Sequence, residues 1–231
     1  MNRIRSLRKL CSFIFREHRD KLLGKRFQPK HKPWMRYREI EVVQEILRNL
    51  NPVSCLEWGA GYSTLFFPPQ LARKASWLAV DHDEAWAREI QNQQPRAIVR
   101  IQYVAPNHFP WTDPWQDGAY PDLFDYVEYP QQFAPFDFIL VDGRARNDCI
   151  RKAVTLIKPE GIVILHDANR EYYHPETAAF THQMLLKGYR KHAGGLWIGS
   201  RARAIEEVLD VQFHQRVWRL CRLTGGARIK C

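Results

Sequence analysis

The sequence has no long apolar run. Nothing in it approaches the ~18–20 consecutive residues that a membrane-spanning helix requires, which excludes an integral membrane protein built on helices. Cysteine is scarce and unpaired: Cys11, Cys55, Cys149, Cys221 and Cys231 are odd in number and form no CxxC pair. That argues against a disulfide framework and against a structural zinc site. Cys55 and Cys149 stand among apolar neighbours and read as buried thiols in a reducing, cytoplasmic compartment. There is no repeat and no low-complexity tract. The apolar run at Cys11–Phe15 is too short and too polar-flanked for a secretory signal. What is present is 231 residues, 45% apolar and 26% charged, enough chain to bury a substantial core.

The formal net charge of +10 is unevenly placed. Residues 1–38 hold thirteen Lys/Arg against only Glu17 and Asp20, whereas residues 39–200 hold fifteen against twenty acids. Residues 201–231 are basic again, so a mildly acidic body carries two basic ends. In the first, Ile4, Leu7, Leu10, Cys11, Ile14 and Leu22–Leu23 recur at helical spacing between Arg and Lys, which predicts a basic amphipathic helix. Residues 24–34 contain two prolines and read as a linker. The predicted organisation is therefore a basic helix and linker over 1–34, then one α/β domain over 35–231. Residues 1–23 have three readings: attachment to an anionic membrane surface, docking on the body with a solvated basic face, or an organelle transit peptide. Nucleic-acid binding through the basic ends is a further alternative, although no recognised RNA-binding module accompanies them.

From residue 36 onward short apolar runs alternate with helical patterns. A helix is predicted over 36–50, ended by Asn51-Pro52. Strands are predicted at Val53–Glu57, Ser76–Val80, Ala97–Val104, Phe136–Val141 and Ile162–Leu165, and again at Leu196–Gly199 and Val211–Leu220. Helical patterns fall at 63–74, 84–93, 123–132, 147–157 and 176–188, with a turn at 158–161. Near-continuous apolar strands alternating with helices imply a Rossmann-like, mostly parallel sheet with helices on both faces. Ligands of such sheets sit beyond the C-terminal strand ends. The chemically interesting residues cluster at those ends: Glu57, Gly59 and Gly61; Asp81 and Asp83; Asp142; His166 and Asp167.

Glycines in Glu57-Trp58-Gly59-Ala60-Gly61 let backbone N–H groups approach a ligand, and Asp81 ends the next strand where an acid can bind a ribose hydroxyl pair. The two together favour a nucleoside-bearing cofactor. A dinucleotide fingerprint would need a small residue where Thr64 stands. S-adenosylmethionine has a cationic amino group and no pyrophosphate, and suits the acid-glycine turn better.

The runs CLEWGAGYST (55–64), WLAVDHDEAW (77–86) and FDFILVDGRARNDC (136–149), with ILHDANREYY (164–173), resemble the class I S-adenosylmethionine-dependent methyltransferases over about residues 36–200. The VDGRAR stretch is similar to that of one subset of the family. The resemblance implies a seven-stranded sheet with a reversed final strand, placed by sequence at 211–220. It implies that Glu57, Gly59 and Gly61 bind the methionine end, Asp81 the ribose, and residues near Val104–Asn107 the adenine. In catechol-type members an acid after the fourth strand and an Asp-Asn pair after the fifth hold a divalent metal. Asp142 and Asp167 match the acids, but Ala168 follows Asp167, so a metal is an open alternative and not an expectation.

Methyl transfer needs alignment, exclusion of water and, for a hydroxyl acceptor, removal of a proton. His166 is the expected general base, because its ordinary pKa lies near neutrality; capping a strand or bonding Asp142 is its structural alternative. Asp142 has three candidate roles: orienting His166, binding metal or touching the methionine moiety. Asp167 completes the expected catalytic set. Arg144 and Arg146 either bind an anionic acceptor or pair with surface acids. The aromatic segment 105–135 is the expected acceptor-side wall, or else a local core. The expected activity is O-methylation of a small molecule or glycan. A glycosyltransferase using Asp81-His82-Asp83 as a DxD motif is the alternative, alongside an RNA-modifying protein.

Overall fold

In the computed structural model of the chain, Ser54–Trp58 (β1), Ser76–Asp81 (β2), Val99–Tyr103 (β3), Phe136–Val141 (β4), Ile157–His166 (β5), His182–Leu186 (β6) and Leu196–Ser200 (β7) form one sheet ordered β3-β2-β1-β4-β5-β7-β6. The helices are Asn2–Leu23 (α1), Tyr37–Leu50 (α2), Tyr62–Phe66 (α3), Glu84–Asn92 (α4), Phe124–Glu128 (α5), Arg146–Leu156 (α6) and Val211–Leu223 (α7). The structure describes residues 2–23, 28–93, 96–111, 113, 115–173, 178–188 and 190–223. The basic C-terminal residues 224–231 and the first part of the predicted linker, 24–27, lie outside them.

β1 to β5 pair in parallel, and β7 runs antiparallel to both β5 and β6. Consecutive strand residues serve opposite faces, each covered. Cys55, Phe138, Leu140, Ile162 and Ile164 pack with Ile40, Val43 and Ile46 of α2 and Val217 and Trp218 of α7. Leu56, Trp58, Ile139, Val141, Val163 and Leu165 pack on the other side with Tyr126 and Val127 of α5 and Cys149 and Ile150 of α6. Burial on both faces explains why the central strands read as unbroken apolar runs.

Four predicted elements are corrected. The reversed strand is Leu196–Ser200, whereas residues 211–220 lie within α7. Buried Val211, Phe213, His214, Val217, Trp218 and Cys221 recur at helical spacing, and all face the core from one side of that helix. The helix predicted over 176–188 is an edge strand in its described part, with alternating exposure along His182–Leu186. The helix predicted over 63–74 ends at Phe66, because Pro68 and Pro69 withhold the N–H groups it would need. The predicted turn at 158–161 is absorbed into β5, at a register shift opposite Phe136 and Phe138.

α1 is docked on the body. Leu10 and Phe13 are buried, α1 packs along α7 and α2, and Lys9 pairs with Glu41 at 2.6 Å. Its two acids face inward: Glu17 pairs with Arg36 at 3.1 Å, and the Tyr37 hydroxyl donates to Asp20 at 2.7 Å. Among the described residues, no helix is long and apolar enough to cross a membrane.

Candidate active site

The sheet order reverses between β1 and β4, and a crevice opens where the loops leaving these strands part. A cleft of about 580 Å³ lies there, bounded by the loops after β1, β2, β4 and β5 and by Trp34, Tyr62 and Trp86. The three rings form a corner, Trp34 to Trp86 at 5.5 Å and Tyr62 to Trp86 at 6.0 Å between centroids. Trp86 is fixed by donating from Nε1 to the Ala60 carbonyl at 2.7 Å.

The glycine turn is shaped by backbone contact as much as by a ligand. Gly59 has φ +96°, and a Cβ there would stand 2.5 Å from the Gly143 backbone. Gly61 has no such crowding, and its side borders the cleft. Thr64, the residue that spoils the dinucleotide fingerprint, ties the turn instead. Its hydroxyl accepts from the Gly61 N–H at 2.9 Å and donates to Glu57 at 2.7 Å. Ser63 and the Trp77 indole also donate to Glu57. Glu57 is fully buried and stands behind the turn, outside the cleft wall. Burial pushes its carboxyl up to about 7 against the pull of these three donors.

Asp81 does border the cleft at the end of β2. Its Oδ1 accepts from the Asp83 N–H at 2.9 Å. Asp83 caps α4, accepting from the Trp86 N–H at 2.9 Å. A carboxylate spent as a helix cap leaves Asp81-His82-Asp83 poorly suited to gripping a metal as a DxD pair. Val104–Asn107 do not border the cleft; Asn107 exchanges hydrogen bonds with Asp125. Much of the 105–135 segment forms a local core through Trp111, Leu123, Tyr126 and Val127, and Trp115 stacks on Tyr172 at 4.3 Å.

His166 sits between two carboxylates. Its Nδ1 lies 2.8 Å from Asp142 Oδ1, and its Nε2 lies 3.5 Å from Glu39 Oε2 with no hydrogen bond of its own. Burial alone would lower the imidazole's pKa, but Asp142 and Glu39 outweigh it and push His166 up to about 10. Reciprocally, burial would raise Glu39, yet His166, Arg38 and the Arg36 N–H bring it down to about 2. Asp142 is likewise held below its ordinary value by His166 and Arg146 against the cost of burial. Two carboxylates at 2.8 and 3.5 Å favour the protonated imidazole, an arrangement that suits a cationic role for His166 better than that of the expected general base.

Arg146, read from sequence as an anion binder or a surface residue, is neither. It is buried and donates to the carbonyls of Gly143, His166 and Asp142 at 2.8–3.1 Å. Its guanidinium also lies 3.2 Å from Asp142 Oδ1 and 3.6 Å from Asp167 Oδ2. Asp167, in the left-handed region at φ 60°, further pairs with Arg170 at 2.9 Å and accepts from the Gly194 N–H at 2.6 Å. The guanidinium compensates the charge of the two acids that a metal would use, and hard cations need several free oxygens. Among the described residues no group of three or more His, Cys, Asp or Glu is placed to hold a metal. The donor set does not fit one.

A second cavity of about 360 Å³ adjoins the cleft, and Trp34, His166, Asp167 and Ala193 border both. Its walls come from the inner face of α1, residues 32–39 and the loop before β7. Sequence reasoning missed Glu39 and this wall. The available signal was Glu39's place on the apolar stripe of α2, one turn before Val43 and two before Ile46.

No protein-family model matches the chain, and no curated protein matches it in sequence. Its structure is similar to that of cofactor-bound Rv0187 from MTB, at TM-score 0.55 and 11% identity over 80% of this chain and 96% of that one. It is similar to the O-methyltransferase from Bacillus cereus in complex with SAH, at TM-score 0.54 and 15% identity over 84% and 90%. A putative O-methyltransferase from Klebsiella pneumoniae gives TM-score 0.51 and 16% identity over the same shares. At these identities the likeness is one of architecture, and with the strand order and reversed seventh strand it gives this chain the fold of the class I S-adenosylmethionine-dependent methyltransferases.

Proposed function

We propose that the chain is an S-adenosylmethionine-dependent methyltransferase acting on an oxygen of a small molecule or glycan. The observation that supports this reading is the meeting of two cavities at His166 and Asp167: one at the glycine turn and Asp81, the other beneath α1 and α2. In it, the cleft takes the cofactor. Asp81 accepts from the ribose hydroxyls, and the Gly59–Gly61 backbone lies along the methionine end, with Asp142 at the same border of the cleft. Glu57 serves by holding Ser63 and Thr64, and hence the turn, in place. When bound, the cofactor supplies a methyl group made electrophilic by its sulfonium.

The adjoining cavity takes the acceptor. His166, buried between Asp142 and Glu39 where the two cavities meet, contributes the positive charge that stabilises the acceptor oxygen as its proton leaves. A fixed positive charge beside the acceptor favours an alkoxide or phenolate over the neutral hydroxyl. His166 lowers the acceptor's pKa, and the proton passes to solvent.

Isothermal titration with S-adenosylmethionine and S-adenosylhomocysteine tests the proposal, with a nucleoside diphosphate plus Mn²⁺ as the rival ligand. Micromolar binding of the first two, weakened about 10- to 100-fold by Asp81→Ala through loss of charge-assisted hydrogen bonds, is the expected result. Absence of binding, affinity unchanged by Asp81→Ala, or preference for the diphosphate would overturn it.

A further inference from the structure

α1 carries two apolar faces, and the fold uses one. Leu10 and Phe13 are buried against α2 and α7. On the opposite side Ile4, Leu7, Phe15 and Leu22 follow one another at intervals of three, eight and seven residues, a single stripe at 3.6 residues per turn. All four are more than half exposed, Phe15 by 68% and Leu22 by 76%. Soluble helices seldom leave such a stripe to water.

Charge identifies the occupant. Both acids of α1, Glu17 and Asp20, are turned inward and paired with Arg36, Tyr37 and Arg19. Beside the stripe stand Arg5, Arg8 and Arg16, all exposed; the guanidinium groups of Arg5 and Arg16 also lie over the Phe213 and Tyr37 rings at 4.9 and 5.5 Å. A second copy docking through the same face would bring arginines against arginines, whereas an anionic lipid surface matches both the cations and the apolar side chains. We infer that the outer face of α1 is a peripheral membrane-binding surface, on which the stripe of Ile4, Leu7, Phe15 and Leu22 enters the headgroup region while Arg5, Arg8 and Arg16 engage acidic lipids. Docking of the inner face orients the helix, so the body sits on the bilayer in one pose.

Flotation of the full chain with vesicles of phosphatidylcholine containing 30 mol% phosphatidylserine (roughly the charge of a cytoplasmic leaflet), against pure phosphatidylcholine, tests the inference. The chain is expected to float with the acidic vesicles and not with the neutral ones, and to be released as salt rises. Leu7→Glu and Phe15→Glu should each weaken binding by about tenfold, from the burial each side chain gives up. Arg8→Glu should weaken it about fivefold or more. Thermal unfolding of each variant should stay close to the wild type, because these side chains lie outside both buried clusters. Failure to bind acidic vesicles at low salt, binding unaffected by the glutamate variants, or a concentration-dependent dimer that Phe15→Glu dissolves would overturn the inference.

Discussion

Replacing Glu39 by Gln removes one of the two charges that hold the His166 proton while keeping the side chain's shape. At an effective dielectric near 20, a unit charge at the observed 3.5 Å is worth about 4–5 kcal/mol. That corresponds to roughly a thousandfold in proton affinity or somewhat more. In Glu39→Gln the His166 pKa should therefore fall from about 10 toward neutrality, with Asp142 still in place at 2.8 Å. NMR titration of labelled histidine reads this directly: wild-type His166 should show no titration between about pH 5.5 and 8.5, and the variant should titrate within that window. Stability gives an independent readout. Because folding raises this pKa, the imidazolium's contribution is full below its ordinary 6.5 and drains as pH climbs to about 10. The wild type should lose roughly 1.4 kcal/mol per pH unit across that range from this group, and in the variant the decline should stop near neutrality. A wild-type His166 that titrates below pH 7, or a pKa unmoved by Glu39→Gln, would refute the reasoning.

Other substitutions probe the frame around the site. Glu57→Leu would leave the donors of Ser63, Thr64 and Trp77 without an acceptor, and a loss of about 3–5 kcal/mol is expected in urea unfolding. Glu57→Gln should fold and flatten the stability profile between about pH 5 and 7.5. The wild-type carboxyl is raised to about 7, so its ionisation costs stability as pH rises past its ordinary 4.5. Gly59→Ala should cost about 3 kcal/mol or more in thermal unfolding, through overpacking against Gly143 and a left-handed backbone. Dialysis against a chelator should leave cofactor affinity and melting temperature unchanged, because Arg146 already compensates Asp142 and Asp167. A melting temperature restored by Mg²⁺ after chelation would contradict this.

The central sheet was legible in the sequence because strands covered on both faces announce themselves as unbroken apolar runs. The positions of Asp81, Asp142, His166 and Asp167 followed from where those runs stop. The edge of the sheet was not legible. His182–Leu186 is half exposed, so its pattern carries no strand signature, and α7 buries Trp218 and Phe213 among residues dense enough to pass for a strand. At the site, residue types gave candidates but not charge states. The meaning of His166 depends on Glu39, which reaches it from a distant helix, and that of Arg146 on backbone carbonyls that only the folded strand ends bring together. Glu57 and Thr64 were visible as an acid and a misfit; their hydrogen bond joins both into one scaffold.

Glu17 and Asp20 belong to α1 and also to the wall of the cavity beside His166. The α/β body alone does not enclose that cavity; a helix that precedes it in the chain supplies the missing side. Truncation of the N-terminal segment is consequently a compound perturbation. Cutting at residue 33 strips the outer cationic face and opens the cavity beside His166 together, so lost activity in such a fragment would not distinguish the proposed membrane contact from the proposed acceptor site. Single substitutions on the outer stripe change the one and spare the other.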